Sequence, residues 1–187
     1  MRLLIMGPPG AGKGTQAVSI SKTFNIPHIS TGDIFRENMK KETPLGLEAK
    51  AFYDQGLYVP DEVTNRIVED RLTWDDAKNG FLLDGYPRTI DQVNFLDQIL
   101  GKNSQKIEKV LEITIDIPVV VERLLKRSQE QGRIDDTKEV ITKRLDVYAS
   151  STAPLLAEYQ KRGILQKVDG MGSVSEVEEK IKSALAS

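Results

Sequence analysis

The sequence predicts an α/β fold in which a parallel sheet carries helices on both faces. Short continuous apolar runs alternate along the chain with longer segments of helical periodicity, which is the pattern of repeated βα units. Strands buried on both faces have such continuous runs, whereas half-exposed strands alternate apolar and polar residues. The 187 residues are 39% hydrophobic and 29% charged, a composition typical of one ordinary globular domain.

Apolar runs mark five strands, at residues 3–6, 26–29, 81–83, 110–115 and 165–168. Helices are predicted at residues 14–24, 60–73, 89–100, 118–127, 137–162 and 174–185, and a further helix begins after the second strand. Pro60 suits the first turn of its helix. Thr89 suits the N-cap of the next one, which Gly101 ends. Ser173 and Glu176 fit a capping box for the last helix.

The composition excludes several classes of protein and site. Lys and Arg number 26 against 28 Asp and Glu, so the net charge of −2 argues against a dominant nucleic-acid-binding surface. The chain has no cysteine and one histidine, His28, which excludes disulfides and thiol nucleophiles and predicts no zinc site. No apolar run approaches the ~20 residues of a membrane span, and the apolar start is too short for a signal peptide. We therefore expect a cytoplasmic protein without a nucleic-acid or membrane partner.

The most specific motif lies directly after the first predicted strand. Gly7, four intervening residues, and then Gly12 and Lys13 have the spacing of a phosphate-binding loop between a strand and a helix. Glycines let backbone N–H groups point at phosphate oxygens, the helix presents its positive end, and Lys13 adds a cation. Gly14 replaces the usual Ser or Thr after the lysine, and Thr15 follows. A glycine-rich turn with a solvated lysine is the alternative, but this context predicts a P-loop NTPase-type fold.

A carboxylate follows the third predicted strand. Residues 81–83 are apolar and Asp84 comes next, which places it at the carboxyl edge of the sheet beside the phosphate-binding loop. There Asp84 and Thr15 could orient Mg²⁺ through water, because this ion dehydrates reluctantly and prefers oxygen ligands. Taken alone, Asp84 would be a strand-end or turn residue; the neighbouring loop favours the magnesium interpretation.

Three further motifs agree with the loop. They are Ser30-Thr31-Gly32-Asp33 with Arg36, then Asp84-Gly85-Tyr86-Pro87-Arg88-Thr89 with Gln92, and then Gly132-Arg133-Ile134-Asp135-Asp136. Together with the loop at 7–16, they make essentially the whole chain resemble the nucleoside monophosphate kinases, and most closely the adenylate kinases. Glycine after the lysine looks like that family's own form of the loop.

The resemblance implies a parallel five-stranded sheet with two small insertions. One is an acceptor-binding lobe at residues 30–59, and the other is a lid at residues 126–136. Only 16 residues separate Arg127 from Arg144, so the lid is similar to the family's short form, without the longer β-rich insertion that sometimes carries zinc. By the same resemblance we expect a monomer.

The resemblance also implies an activity, the reversible transfer of the terminal phosphoryl group of Mg·ATP to AMP, which gives two ADP. The implied catalytic residues are Lys13, Arg88, Arg123, Arg127, Arg133 and Arg144. The implied ATP-binding residues are Gly10, Ala11, Gly12, Lys13, Gly14, Thr15, Arg127 and Gly172. The implied AMP-binding residues are Thr31, Arg36, Leu57, Tyr58, Val59, Gly85, Tyr86, Pro87, Arg88, Gln92, Arg133 and Arg144. Asp135 and Asp136 resemble lid aspartates that orient the arginines.

Several of these residues have simpler explanations when each is taken alone. Thr31 could be an N-cap and Arg36 a solvated charge on its helix. Gln92 could be a surface side chain and Gly172 a turn glycine. Arg123 and Arg127 lie four positions apart, on one face of a predicted helix, and could form a solvated basic surface.

Two other functions stay open at this point. A UMP/CMP kinase would share the loop and the arginines, but pyrimidine-specific members tend to carry a smaller residue in place of Thr31, and Thr89 and Gln92 also favour AMP. A nucleotide-dependent switch or non-catalytic sensor is the second alternative. A guanine switch should contain Asn-Lys-x-Asp, yet none of the six asparagines precedes a lysine, and a sensor should have lost the arginines that this chain keeps.

Overall fold

The computed structural model describes residues 1–131 and 137–186, and these residues confirm the predicted α/β class. Within them, one five-stranded sheet has the order β2-β3-β1-β4-β5, and every neighbouring pair of strands is parallel. The strands are β1 (Arg2–Met6), β2 (His28–Ser30), β3 (Phe81–Asp84), β4 (Lys109–Thr114) and β5 (Leu165–Asp169).

Helices connect the strands and cover both faces of the sheet. They are α1 (Lys13–Phe24), α2 (Thr31–Lys40), α3 (Pro44–Tyr53), α4 (Asp61–Leu72), α5 (Ile90–Gly101), α6 (Ile117–Gln131), α7 (Lys138–Val147), α8 (Ala153–Lys161) and α9 (Val174–Ala186), with a 3-10 turn at Asp75–Ala77 and a π-helical turn at Tyr148–Thr152. Among these, no helix is both long and apolar enough to cross a bilayer.

Alternate side chains of the strands build one hydrophobic core on each face. On β1, Leu4 and Met6 belong to the core that α4, α5 and α8 cover. Leu3 and Ile5 belong to the core that α1 and α9 cover. Both faces of the central strands are therefore buried, which explains why they appear in the sequence as continuous apolar runs.

The caps predicted from the sequence are confirmed. The Thr89 hydroxyl accepts a hydrogen bond from Gln92 N at 3.2 Å at the start of α5. At the start of α9, Glu176 N donates to Ser173 Oγ at 3.3 Å and Ser173 N donates to Glu176 Oε2 at 2.7 Å, as a capping box requires. Pro60 is the residue before α4 rather than part of its first turn.

The prediction of one uninterrupted helix at residues 137–162 is wrong. The π-helical turn separates α7 from α8. Pro154 lies in the first turn of α8, and because it has no N–H it cannot continue the hydrogen-bond ladder of the preceding helix. Such π-helical turns are uncommon and are frequent at functional sites. This one buries Thr152, which is 5% exposed.

Other element boundaries differ from the prediction by a few residues. The second strand begins at His28 instead of residue 26, because Pro27 lacks the N–H that a ladder position needs. Helix α6 extends to Gln131. Helix α3 was not predicted, although Thr43 caps it and Pro44 occupies its first turn, both of which are ordinary start signals.

Helices α2 and α3 form a small lobe beside the sheet. Phe35, Ala49, Val59 and Val63 make a separate hydrophobic cluster there, which fits the predicted acceptor-binding lobe at residues 30–59. The division of the chain into core, lobe and lid stays a prediction. The predicted lid motif, residues 132–136, lies outside the described residues.

Candidate active site

A cavity of about 640 Å³ opens at the carboxyl ends of the central strands. Open parallel sheets bind ligands at this edge, and the volume is typical of a small-molecule site. Its walls come from the loop after β1, the end of β3 with the loop that follows it, the α2–α3 lobe, α6, α7 and the π-helical turn. Every predicted site residue within the described ranges lines it, apart from Ala11 and Gly172.

The phosphate-binding loop needs glycine for conformation and for space. Gly10 has φ +84°, and a Cβ there would lie 2.8 Å from Leu124 Cγ of α6. Gly12 has φ +88° and stands at the N-cap of α1. Both values lie in the left-handed region that side chains disfavour. The loop therefore exposes its backbone at the positive end of α1, which is an anion-binding arrangement.

Lys13 folds back over this loop. Its Nζ donates to Gly7 O and to Pro8 O, each at 2.9 Å. The pKa of Lys13 is lowered to about 8, chiefly by burial of the ammonium group; Asp84 opposes the shift, and Arg88 and Arg127 add to it. The interpretation of Lys13 as a solvated charge is therefore wrong, because its ammonium is buried against the carbonyl groups of the loop.

Asp84 ends β3 beside the start of α1, and the surrounding groups fit Mg²⁺. The residue is 8% exposed and lines the cavity. Its Oδ2 lies 3.4 Å from His28 Nε2, and a Cβ on Gly14 would lie 3.9 Å from the same oxygen. Thr15 lines the cavity as well. A carboxylate and a hydroxyl next to a phosphate-binding loop are oxygen donors of the kind that Mg²⁺ prefers, directly or through water.

Three hydrogen bonds and a contact with an aromatic ring fix the position of Arg88. Its Nε donates to Gly85 O at 2.7 Å and its backbone N to Gln92 Oε1 at 2.7 Å. Its carbonyl oxygen accepts from Thr152 Oγ1 at 2.9 Å. The guanidinium carbon lies 4.6 Å from the centre of the Tyr58 ring, within the range of a cation–π contact. The side chain therefore enters the cavity in a defined direction.

The N-cap interpretation of Thr31 is wrong, because Ser30 occupies that position and accepts from Asp33 N. Thr31 is the first residue of α2, and its hydroxyl donates to Gly85 O at 3.0 Å, so it ties the lobe to the loop after β3. Arg36 lines the cavity and forms an ion pair with Asp33. Burial opposes ionisation of Asp33, but the hydrogen bond and charge of Arg36 outweigh it and lower the pKa of that carboxyl.

Gln92 is not a surface residue, since only 2% of it is exposed. Its carboxamide is engaged at both ends: Oε1 accepts from Arg88 N, and Nε2 donates to Asp61 Oδ1 at 2.7 Å. Thr89 Oγ1 donates to the other carboxylate oxygen of Asp61 at 2.6 Å. The side chain lines the cavity in one fixed orientation.

Three further arginines complete the basic lining. Arg123 Nη2 lies 3.5 Å from Gly170 O in the loop after β5. Arg127 lies one helical turn further along α6 and lines the same cavity. Arg144 of α7 also lines it, with its guanidinium carbon 5.9 Å from the centre of the Tyr53 ring. Five arginines of the described residues thus surround one cavity, together with Lys13.

Sequence comparisons with known proteins identify the family. The adenylate kinase family model matches residues 5–164. An adenylate kinase of Kocuria rhizophila is 56% identical over 98% of both chains. One of Pseudarthrobacter chlorophenolicus is 54% identical over 98% of this chain and 96% of its own length, and one of Micrococcus luteus is 53% identical over 100% of this chain and 91% of its own. The chain belongs to the adenylate kinase family.

The predicted family and the predicted enzyme class are thereby confirmed, and the chain is a nucleotide-binding transferase of the adenylate kinase type.

Two predicted site residues do not line the cavity. Ala11 is 3% exposed and packs in the core with α1 and α9. Gly172 has φ +113°, so its turn alone favours glycine. A Cβ on Gly170 would lie 3.7 Å from Ala11 O, so this turn borders the phosphate-binding loop. Arg133, Asp135 and Asp136 lie outside the described residues.

Two residues that hold this adenylate kinase site in place had no motif of their own. Asp61 lies in the first turn of α4, where the positive end of the helix is by itself enough to favour an acid. Thr152 lay inside a predicted helix, although Pro154, two positions later, signals a break in such a helix. Both are long-range partners, of Gln92 and Arg88 respectively, and sequence spacing does not reveal such pairs.

Proposed function

We propose that this one cavity binds ATP at the phosphate-binding loop and AMP at the opposite end, and that the protein transfers the terminal phosphoryl group between them to give two ADP. The main support for this proposal is that one cavity is lined both by the loop with Lys13 and by the Arg88–Gln92 pair. Membership of the adenylate kinase family supports both substrates.

ATP would lie with its phosphates against the backbone of the loop. Its negative charge would draw Lys13 Nζ away from Gly7 O and Pro8 O, since an anion is a stronger partner for an ammonium than a neutral carbonyl. Arg123 and Arg127 would reach the same phosphates from α6. The turn at Gly172 would lie near the adenine of ATP.

AMP would lie between the α2–α3 lobe and the loop after β3. Arg36, Arg88 and Arg144 would bind its phosphate, because planar guanidinium groups match phosphate oxygens in pairs. The base would meet Gln92 and Thr31, with the backbone of residues 57–59 and 85–87 forming the walls. Arg133 of the lid motif would join this set.

Phosphoryl transfer through a loose transition state depends on positioning and charge stabilisation, and it requires no protein nucleophile. The terminal phosphoryl group would leave the bridging oxygen of ATP as an oxygen of the AMP phosphate approaches it in line. The cations around the cavity would offset the repulsion between the two nucleotides and stabilise the charge on the phosphoryl group during its transfer. Mg²⁺ would be held by Asp84 and Thr15, directly or through water, and would supply charge neutralisation on the ATP phosphates.

Both insertions would close over the substrates to exclude water, which would otherwise accept the phosphoryl group. These are the lobe at residues 30–59 and the short lid at residues 126–136. A bisubstrate analogue should slow hydrogen exchange in both segments, and unchanged exchange there would count against this assignment. We further propose that the enzyme acts as a monomer in the cytoplasm.

The acceptor identity is tested by measuring ADP formation from Mg·ATP with AMP, UMP, CMP and GMP separately. We expect AMP to be used with by far the highest kcat/KM. A preference for UMP or CMP would make the chain a pyrimidine nucleotide kinase, and tight nucleotide binding without transfer would make it a sensor.

A further inference from the structure

The Gln92 carboxamide has one allowed orientation because two neighbours with opposite hydrogen-bonding character occupy its ends. Arg88 N, at 2.7 Å from Oε1, can only donate. The ionised carboxylate of Asp61, at 2.7 Å from Nε2, can only accept. Exchanging the ends of the amide would place two donors together at one end and two acceptors together at the other. The contact with Asp61 is the stronger constraint, since charge-assisted hydrogen bonds are about twice as strong as neutral ones.

Asp61 is itself fixed, so it can impose this orientation. Its Oδ2 accepts from Thr89 Oγ1 at 2.6 Å, and Thr89 Oγ1 caps α5 by accepting from Gln92 N. Asp61 begins α4, directly after the predicted acceptor-binding lobe. Because Gln92 is 2% exposed, water cannot easily relieve a mismatched amide, and a buried group without a partner bears its full desolvation cost.

These contacts leave one N–H on Nε2 and one lone pair on Oε1. A 6-amino purine presents a donor at its amino group and an acceptor at N1, which match that lone pair and that N–H. A 6-oxo purine in the same pose presents an acceptor and a donor in the opposite order. It would match only an amide whose ends had been exchanged.

We propose that Asp61 is a specificity-determining positioning residue, which holds the Gln92 carboxamide in the orientation that accepts a 6-amino purine nucleotide and rejects a 6-oxo one. The inference rests on the proposed role of Gln92 at the acceptor base. Asp61 acts through Gln92 and does not contact the substrate.

The test compares kcat/KM for AMP with kcat/KM for IMP, its 6-oxo counterpart, in the wild type and in Asp61→Ala. We expect the AMP-to-IMP ratio to fall about tenfold or more, because the variant removes the partner that makes the exchanged amide costly. Part of the fall should come from a higher kcat/KM for IMP. A purely structural role would lower both values together and leave the ratio unchanged.

Two further variants complete the comparison. Asp61→Asn can keep the hydrogen bond from Thr89 Oγ1 on its amide oxygen and turn its Nδ2 towards Gln92, where this donor pairs with Oε1 of an exchanged amide. Its AMP-to-IMP ratio should therefore fall as well. Glu62→Ala is the control: it removes an exposed acid from the same first turn of α4, so it reproduces the loss of charge near the helix start. Its ratio should be unchanged.

Both nucleotides are assayed on one preparation, so the ratio does not depend on the folded fraction. If Asp61→Ala gives no soluble enzyme, Asp61→Ser replaces it, since serine is too short to bridge both partners. A wild-type ratio in the tested Asp61 variant, or an equal fall in Glu62→Ala, overturns the inference. Gln92→Leu distinguishes failure of the inference about Asp61 from failure of the proposed role of Gln92. If Gln92→Leu lowers the AMP-to-IMP ratio and the Asp61 variant does not, only the role of Asp61 fails. If neither variant lowers the ratio, the proposed role of Gln92 fails as well.

Discussion

The two ends of the cavity are built in different ways. At the phosphate-binding loop, the groups come from one short stretch of chain, and Lys13 bonds to carbonyls only five and six positions away. At the proposed acceptor end, Arg88 depends on Thr152, 64 positions away, and Gln92 depends on Asp61, 31 positions away. Tyr58 joins the network through a 2.8 Å contact between its hydroxyl and Thr152 Oγ1 across 94 positions.

This difference has a consequence for function. A contiguous loop keeps its geometry wherever its strand and helix persist, so its behaviour should follow from the chemistry of its own residues. A network assembled from three distant segments should respond to changes in residues that contact no substrate. The acceptor end is therefore where remote substitutions should alter turnover.

The largest expected effect is that of Arg88→Ala. Removing one preorganised donor to a transition-state oxyanion commonly costs about 3 kcal/mol, which is about a hundredfold in rate, and we expect kcat to fall by at least that factor. Steady-state assays, with circular dichroism to check the fold, would measure this. Arg66→Ala removes an exposed arginine of α4 and should leave kcat near the wild-type value. Near-normal activity of a folded Arg88→Ala would remove Arg88 from the mechanism.

A smaller effect should appear at the loop as a pH dependence of ATP binding. Lys13 has a pKa of about 8 in the free enzyme, and bound phosphates would raise it by favouring the charged form. Binding then requires proton uptake above that pH, so ATP affinity should fall about tenfold per pH unit there. Calorimetry without AMP between pH 7 and 9.5 would measure it.

Lys13→Arg is the control for this pH dependence, because its guanidinium stays charged throughout that range. Whatever its absolute affinity, this variant should show no such fall. An equally steep fall in Lys13→Arg, or a flat profile in the wild type, would show that Lys13 does not titrate as its burial predicts.

The smallest expected effect tests the remote network. Thr152→Val keeps the shape of the side chain but removes the hydrogen bonds to Arg88 O and Tyr58 OH. Leaving those buried partners unsatisfied should cost about 1–3 kcal/mol of unfolding free energy and raise KM for AMP several-fold more than KM for ATP. Tyr58→Phe keeps the ring under Arg88 and removes one of the same contacts, so the two substitutions should be non-additive in a double-mutant cycle. Additive effects, or equal changes in both KM values, would show that the acceptor end is not coupled through Thr152.

The residues of the proposed acceptor site were named from the sequence, but the hydrogen bonds between them were not. Thr31, Arg88 and Gln92 were identified by resemblance, and the structure places all three on one cavity. The alternative explanations failed for reasons that no local pattern contains: Ser30 takes the cap that Thr31 was expected to supply, and the fold buries Gln92. Capping depends on which residue ends the preceding strand, and the predicted strand ended at residue 29, whereas β2 ends at Ser30.

The sequence by itself determined the sheet, the phosphate-binding loop and the family, because burial on both faces, glycine conformation and helix capping act within a few residues of each other. Only the tertiary structure showed that Asp61 orients Gln92 and that a π-helical turn places Thr152 within hydrogen-bond distance of Arg88. Both depend on hydrogen bonds between groups that the packing of α4, α5 and α8 on the sheet brings together. The periodicity of the sequence does not specify which of these groups come within hydrogen-bond distance.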